Sequence, residues 1–253
     1  MELALELGFR GFDTANQRKH YVEAAAGEAL SATIKNGLVN RESIFLQTKY
    51  TFQHGQDHRL PYDPDAPIAD QVAQSLASSL EHLQTTYIDS YMLHGPTQRT
   101  NLGIDDWAAW HAIVETYKRE KTRLIGISNV DLNQLQLLCQ EAEMQPHFVQ
   151  NRCFASRKWD SDIRAFCAGK GINYQGFSLL TGNRKEIVSP KINALAKRHG
   201  RSVSEIVFRF AIDSGIIPLT GTSNREHMRK DLEVFDFQLR TSEIKVIETL
   251  SAT

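Results

Sequence analysis

The sequence predicts an α/β fold of the (β/α)8 or TIM-barrel type, incomplete with seven visible strands, and three observations carry that expectation. Short, β-rich apolar runs alternate with longer amphipathic stretches along the whole chain. Seven such runs fit in 253 residues, close to the ~250 of a typical barrel. No G-x-G-x-x-G follows any of them, which counts against the runner-up, a doubly wound dinucleotide fold. At 41% hydrophobic and 23% charged, residues 1–253 read as one globular domain large enough to bury a core.

Each element has its own signal. The strand candidates are Gly8–Asp13, Ile44–Lys49, Tyr87–His94, Arg123–Ser128, Phe148–Asn151, Ile172–Phe177 and Ile216–Leu219, all bounded by polar or turn residues. Between them, Ile68–Leu83 sets Val72, Leu76, Leu80 and Leu83 on one helical stripe. The segments Trp107–Tyr117, Leu132–Cys139, Ile163–Cys167 and Ile192–Ala196 repeat a period near 3.6. Asp131 and either Ser202 or Ser204 are placed to cap helix N-termini, while Gly171 and Gly200 stand where helices should stop. Gln53–Pro67 (QHGQDHRLPYDPDAP) is too polar and Pro-rich for helix or strand and reads as a surface loop.

Composition narrows the function. Lys plus Arg number 29 against 30 Asp plus Glu, a net charge of -1, so no bulk field draws the chain to nucleic acid or to an acidic membrane. A small-molecule partner is expected. Cys139, Cys153 and Cys167 are far apart, which fits a reducing compartment, and the cytoplasm is the expected location. Neither a signal peptide nor a membrane span is visible. His54 and His58, with Asp57 beside them, suggest a metal, but no third ligand of matching geometry is indicated, so no metal is expected.

In barrels of this class, reacting groups sit at the C-terminal ends of the strands. Here those places hold Asp13, Lys49 and His94, with Tyr21 eight residues beyond the first. Amide, hydroxyl and aromatic groups follow on later strands: Ser128, Asn129, Gln150, Phe177 and Ser178. Each residue also has a plain structural reading. Asp13 could cap a helix, Lys49 could be a solvated lysine, Tyr21 could be an interface aromatic, and Asp89 reads as structural.

These stretches resemble the aldo-keto reductase family. GFRGFDTA with Tyr21, Glu23 and Gly27, then FLQTK, SLEHLQTTYIDSYMLHGP, IGISN, the Gln150 strand and IPLTGTSN with VFDF follow in that family's order across essentially the whole chain. The resemblance implies an NAD(P)H-dependent reductase of aldehydes or ketones. It places the catalytic tetrad on Asp13, Tyr21, Lys49 and His94, and the nicotinamide carboxamide on Ser128, Asn129 and Gln150. Phe177 stands where the family usually stacks a tyrosine, with Ser178 beside it. Thr222, Ser223, Asn224 and Arg225 remain as candidates for the cofactor's phosphate, because the family's usual lysine and arginine positions carry Gly221 and His227 here. NADPH is favoured, with NADH left open. His20 competes with Tyr21 for the acid's position.

The tetrad has an independent rationale. A tyrosine with a pKa near ~10 is a reluctant acid. A lysine ammonium about 4 Å away, at an effective dielectric of ~20, contributes roughly 4 kcal/mol toward bringing Tyr21 to neutrality. Asp13 is expected to hold Lys49, and neutral His94 to orient the carbonyl oxygen. The resemblance also implies an N-terminal hairpin, one further strand and a C-terminal tail that this sequence does not display. An open pocket is therefore expected, and a homo-oligomer if exposed sheet edges are covered. Two rival readings stand beside the reductase: a weakly active or inactive cofactor-binding regulatory subunit, and a lyase or isomerase using Lys49 as a Schiff base.

Overall fold

The computed structural model describes residues 1–250. The class is α/β of the (β/α)8 type, and the described residues hold seven strands, β1 to β7, in chain order. Contacts divide the chain into two compact units, Met1–Phe148 and a second from Val149 onward.

In the first unit, α1 (Glu2–Leu7) ends at Gly8, whose φ of 113° is left-handed and open to glycine at little steric cost. That turn corrects the first expected strand. Gly8–Arg10 is a helix stop and connector, with Phe9 N–H bonded back to Ala4 O, and β1 is only Gly11–Asp13. Helix α2 (Glu23–Lys35), β2 (Phe45–Tyr50), α3 (Ile68–His82), β3 (Ile88–Leu93), α4 (Ile104–Lys118), β4 (Thr122–Ser128) and α5 (Leu132–Glu141) follow. Strands β1 to β4 pair in parallel, setting Asp13 beside Gln47 and Lys49 beside Met92. The expected cap on α5 is present, with Asp131 accepting from Gln134 N–H.

Strand periodicity explains where the side chains of β2 go. Leu46, Thr48 and Tyr50 meet the helical layer, where Thr48 bonds Glu23 of α2 and Tyr50 bonds Gln71 of α3. Gln47 and Lys49 turn the other way, both toward Asp13. Helices α2 and α3 approach so closely at Gly27 that a Cβ there would lie 2.0 Å from His82 O. Asp89 is structural, as expected: it accepts from Leu46 N–H and pairs with Arg41 and Arg123.

The segment Gln53–Pro67 contains no helix beyond one short turn at Gln53–Gly55, but it does not lie loosely on the surface. Tyr62 and Gln56 are buried; Tyr62 Oη donates to Thr51 O at 2.8 Å, and Gln56 Nε2 donates to Asn16 O at 2.7 Å. Polar composition concealed these anchors, because the buried groups are amide and phenol.

The second unit holds β5 (Phe148–Arg152) beyond its first residue, α6 (Ser161–Lys170), β6 (Asn173–Phe177), α7 (Arg184–Ile187), α8 (Pro190–His199), α9 (Val203–Asp213), β7 (Ile216–Pro218), α10 (Arg225–Glu233) and α11 (Thr241–Glu248). β6 and β7 pair in parallel. Gly171 and Gly200 close α6 and α8 in left-handed conformations, and Ser202 rather than Ser204 caps α9. Between β5 and α6, Lys158, Trp159 and Asp160 form a left-handed turn with φ of 53°, 55° and 54°. Such a turn costs roughly 1–2 kcal/mol per residue. Trp159 offsets it through full burial, a bond from Nε1 to Ile247 O at 3.0 Å and an edge contact with Phe210. Among the described residues no helix is long and apolar enough to cross a membrane.

Candidate active site

Asp13, Lys49 and His94 come from three consecutive strand ends, and the loop that continues β1 brings Tyr21 to them. That loop is tightly held. Thr14 N–H bonds Gln47 O, Asn16 N–H bonds Lys49 O, and Asn16 Nδ2 donates to Ser75 O of α3 at 2.8 Å. Gln17 Nε2 donates to Gly55 O at 2.8 Å. Beyond Tyr21, Glu23 pins the start of α2: it accepts from Thr48 Oγ1 and from Ser79 Oγ at 2.9 Å, and its burial raises its pKa.

Lys49 is fully buried. Its three N–H bonds reach Asp13 Oδ1 at 2.6 Å, Asp13 Oδ2 at 2.7 Å and Thr14 O at 2.9 Å. The expected Asp13–Lys49 pair is therefore formed. Its effect on Tyr21 differs from the expectation. The ammonium lies 5.7 Å from the Tyr21 ring centroid, its donors are occupied, and Asp13 offsets its charge. Burial, aided by the negative charge of Asp13, pushes the Tyr21 pKa up to about 12 instead of toward neutrality. Tyr21 is thus a phenol that holds its proton.

His94 shifts in the complementary sense. Burial and the nearby Lys49 lower its pKa from 6.5 to about 4, so the imidazole is neutral at physiological pH. Its ring sits edge-on to Tyr21 with centroids 6.1 Å apart. His94 N–H bonds Tyr50 O, and His94 O accepts from Asn129 Nδ2 at 2.8 Å. His20, the competitor for the acid's position, is exposed, whereas Tyr21 is partly buried against Lys49 and His94.

Sequence reasoning missed Gln47 and Thr51. Gln47 Nε2 donates to Asp13 Oδ1 at 2.6 Å, and Thr51 Oγ1 lies 2.7 Å from His94 Nδ1. Both stand two residues from Lys49, so extending the strand's period of two in each direction finds them.

The remaining candidates are placed as follows. Ser128 is fully buried and accepts from Asn129 Nδ2 at 3.1 Å, while Asn129 is exposed with a left-handed φ of 55°. In the second unit, Gln150 is buried and donates to Gln175 Oε1 at 2.9 Å. Phe177 keeps a partly exposed ring, with the Arg152 guanidinium 5.5 Å from its centroid, and Ser178 follows in a left-handed conformation. Ser223, Asn224 and Arg225 are exposed at the start of α10. Asn224 Oδ1 already accepts the N–H groups of Glu226 and His227, and Thr222 Oγ1 accepts Asn224 N–H at 3.1 Å. An anion there must compete with these caps. Among the described residues no cluster of three or more His, Cys, Asp or Glu is arranged to hold a metal, and Asp57 is engaged by Arg59.

Residues 1–252 match the model of the Aldo/keto reductase family. The chain is 30% identical over 251 residues to methylglyoxal reductase DkgA of Escherichia coli O157:H7, covering 99% of this chain and 82% of that one. It is 26% identical over 253 residues to glyoxal reductase of Bacillus subtilis, with 99% and 82% covered. Among solved structures it is similar to the Bombyx mori aldo-keto reductase AKR2E4 in complex with NADP, at a TM-score of 0.83 and 26% identity over 98% of this chain and 80% of the other.

Proposed function

Because the chain belongs to the aldo/keto reductase family and is an oxidoreductase of that family, we propose that it reduces aldehydes or ketones to alcohols with NADPH, with Tyr21 as the general acid. The observation that supports this reading is geometric: the Tyr21 ring sits edge-on to His94 and 5.7 Å from the Lys49 ammonium, which is itself paired with Asp13.

The residues suit the cofactor's chemistry. In the first unit Ser128 and Asn129 carry hydroxyl and amide groups of the kind that bind a carboxamide; in the second, Gln150 carries an amide, the partly exposed Phe177 ring a stacking face, and Arg225 a cation suited to a phosphate. When bound, NADPH supplies the hydride. Tyr21 delivers the proton to the carbonyl oxygen as charge develops there. A phenol at about 12 remains a stronger acid than an alcohol near water's own ~15.7, so the transfer runs downhill. The phenolate then regains its proton from water, and the Asp13–Lys49 pair holds the cation in place throughout. His94 donates to the same oxygen and orients it.

The lyase reading with a Lys49 Schiff base loses support, because a nucleophilic amine must be deprotonated and Lys49 is bonded through all three hydrogens. The names of two relatives make small 2-oxo aldehydes the first substrates to try. The test mixes the chain with NADPH or NADH and a panel of glyoxal, methylglyoxal and aromatic aldehydes, following cofactor oxidation and alcohol formation. The expected result is alcohol in proportion to NADPH oxidised. Cofactor binding with no turnover on any carbonyl would overturn the proposal in favour of the regulatory reading.

A further inference from the structure

We propose that Thr51 is a positioning residue that fixes the tautomer of His94, holding the ring proton on Nε2 so that His94 can donate to a carbonyl oxygen. Thr51 Oγ1 lies 2.7 Å from His94 Nδ1, and its side chain makes no other hydrogen bond among the described residues.

Two arrangements satisfy that distance. In one, His94 Nδ1–H donates to Thr51 and the buried Thr51 O–H is left with no acceptor, which costs roughly 1–3 kcal/mol. In the other, Thr51 O–H donates to an unprotonated Nδ1, and the hydroxyl is satisfied. The second arrangement is favoured, and it requires a neutral ring to carry its hydrogen on Nε2. His94 Nε2 has no partner among the described residues, so that N–H remains available to an incoming oxygen.

The backbone that carries Thr51 is itself held. Its backbone oxygen accepts from Tyr62 Oη at 2.8 Å and from Gln56 Nε2 at 3.3 Å, both belonging to the 53–67 segment. Gly55 of the same segment packs against its methyl group; a Cβ at Gly55 would sit 2.8 Å from Thr51 Cγ2. This segment thereby acts as a brace for the imidazole, giving a purpose to buried polar anchors in an otherwise irregular stretch.

The tautomer proposal rests on the reductase reading only for its effect on turnover, so the test has two readouts. The 15N resonances of the His94 imidazole report the tautomer without any reaction. In the wild-type holoenzyme they should show a protonated Nε2 and an acceptor Nδ1. Thr51→Val, which keeps the shape and removes the hydroxyl, should mix the tautomers and lower kcat about tenfold, with NADPH affinity unchanged. Thr51→Ser should restore both. Unchanged His94 resonances in Thr51→Val would overturn the proposal, as would failure of Thr51→Ser to restore them while it still binds NADPH. If the tautomer shifts as expected but neither wild type nor variant reduces any carbonyl, the tautomer assignment stands and the reductase reading falls.

Discussion

The ends of β1, β2 and β3 and the start of α10 carry two of the groups of candidate residues, the proposed tetrad and the proposed phosphate site, and they are built in opposite ways. At the strand ends Lys49 is fully buried and paired with Asp13, and the loop that carries Tyr21 is held by bonds that continue the sheet ladder or bridge to α3 and the 53–67 segment. At the start of α10, Ser223, Asn224 and Arg225 are exposed, and the first N–H groups are satisfied by the chain's own Asn224. Groups whose protonation state matters are walled off from water, where burial can move a pKa by several units. Groups that only need to attract an anion can remain solvated and adaptable. Substitutions should therefore be costly in the first region and mild in the second.

The largest effect is expected from Lys49→Met. It leaves the Asp13 carboxylate without its cation, so stability measured by urea unfolding should fall by about 3 kcal/mol. Turnover should fall by at least ~1000-fold. A variant of wild-type stability would remove the distinction between the two regions.

Next comes Gly27→Ala. Its Cβ meets His82 O at 2.0 Å and forces α2 from α3, so the start of α2 that follows Tyr21 should shift. Unfolding should cost about 1–3 kcal/mol less than in wild type, with kcat reduced more than cofactor affinity.

A pH titration sharpens the comparison further. The folded-state pKa of His94 lies near 4, below its ordinary 6.5, so the unfolded chain binds more protons between those values. His94 therefore contributes stability that is present above pH ~6.5 and lost as pH falls toward 4, on the order of 3 kcal/mol. The stability of wild type relative to His94→Asn, read by thermal unfolding, should therefore fall as pH drops from about 6.5 to 4, because only wild type bears the cost of protonating a buried ring. Parallel curves would mean that the imidazole is solvated.

The smallest effects belong to α10. Asn224→Ala removes a cap worth about 1 kcal/mol. It should leave NADPH affinity unchanged or slightly improved, because two N–H groups become available to an anion. Arg225→Ala should weaken NADPH binding less than about tenfold and NADH binding less still, as read by fluorescence titration. A hundredfold loss would show that this end is as organised as the strand ends.

The same contrast explains what the sequence made legible. All seven strands were visible because apolar runs bounded by polar turns survive in one dimension, and Asp13, Lys49 and His94 were visible because they end those runs. Gly8 misled the reading because an apolar neighbour and a glycine fit a strand edge as well as a helix stop; only its φ of 113° separates them. The tuning of Tyr21 was misjudged for a different reason. Proximity of a lysine suggests an acidified phenol, but the sign depends on whether Asp13 cancels that charge and how much water burial removes. Thr51 escaped notice because it follows the strand's last residue, and its partner His94 is 43 positions away. At the start of α10, exposure and short-range capping leave no periodic signal at all.

The measurement that bears most directly on the chemistry is a single turnover of Tyr21→Phe, loaded with NADPH and mixed with methylglyoxal. NADPH affinity should match wild type while hydride transfer slows by ~100-fold or more, since the ring remains and only the proton donor is gone. Transfer at the wild-type rate in that variant would contradict the assignment of the phenol as the acid.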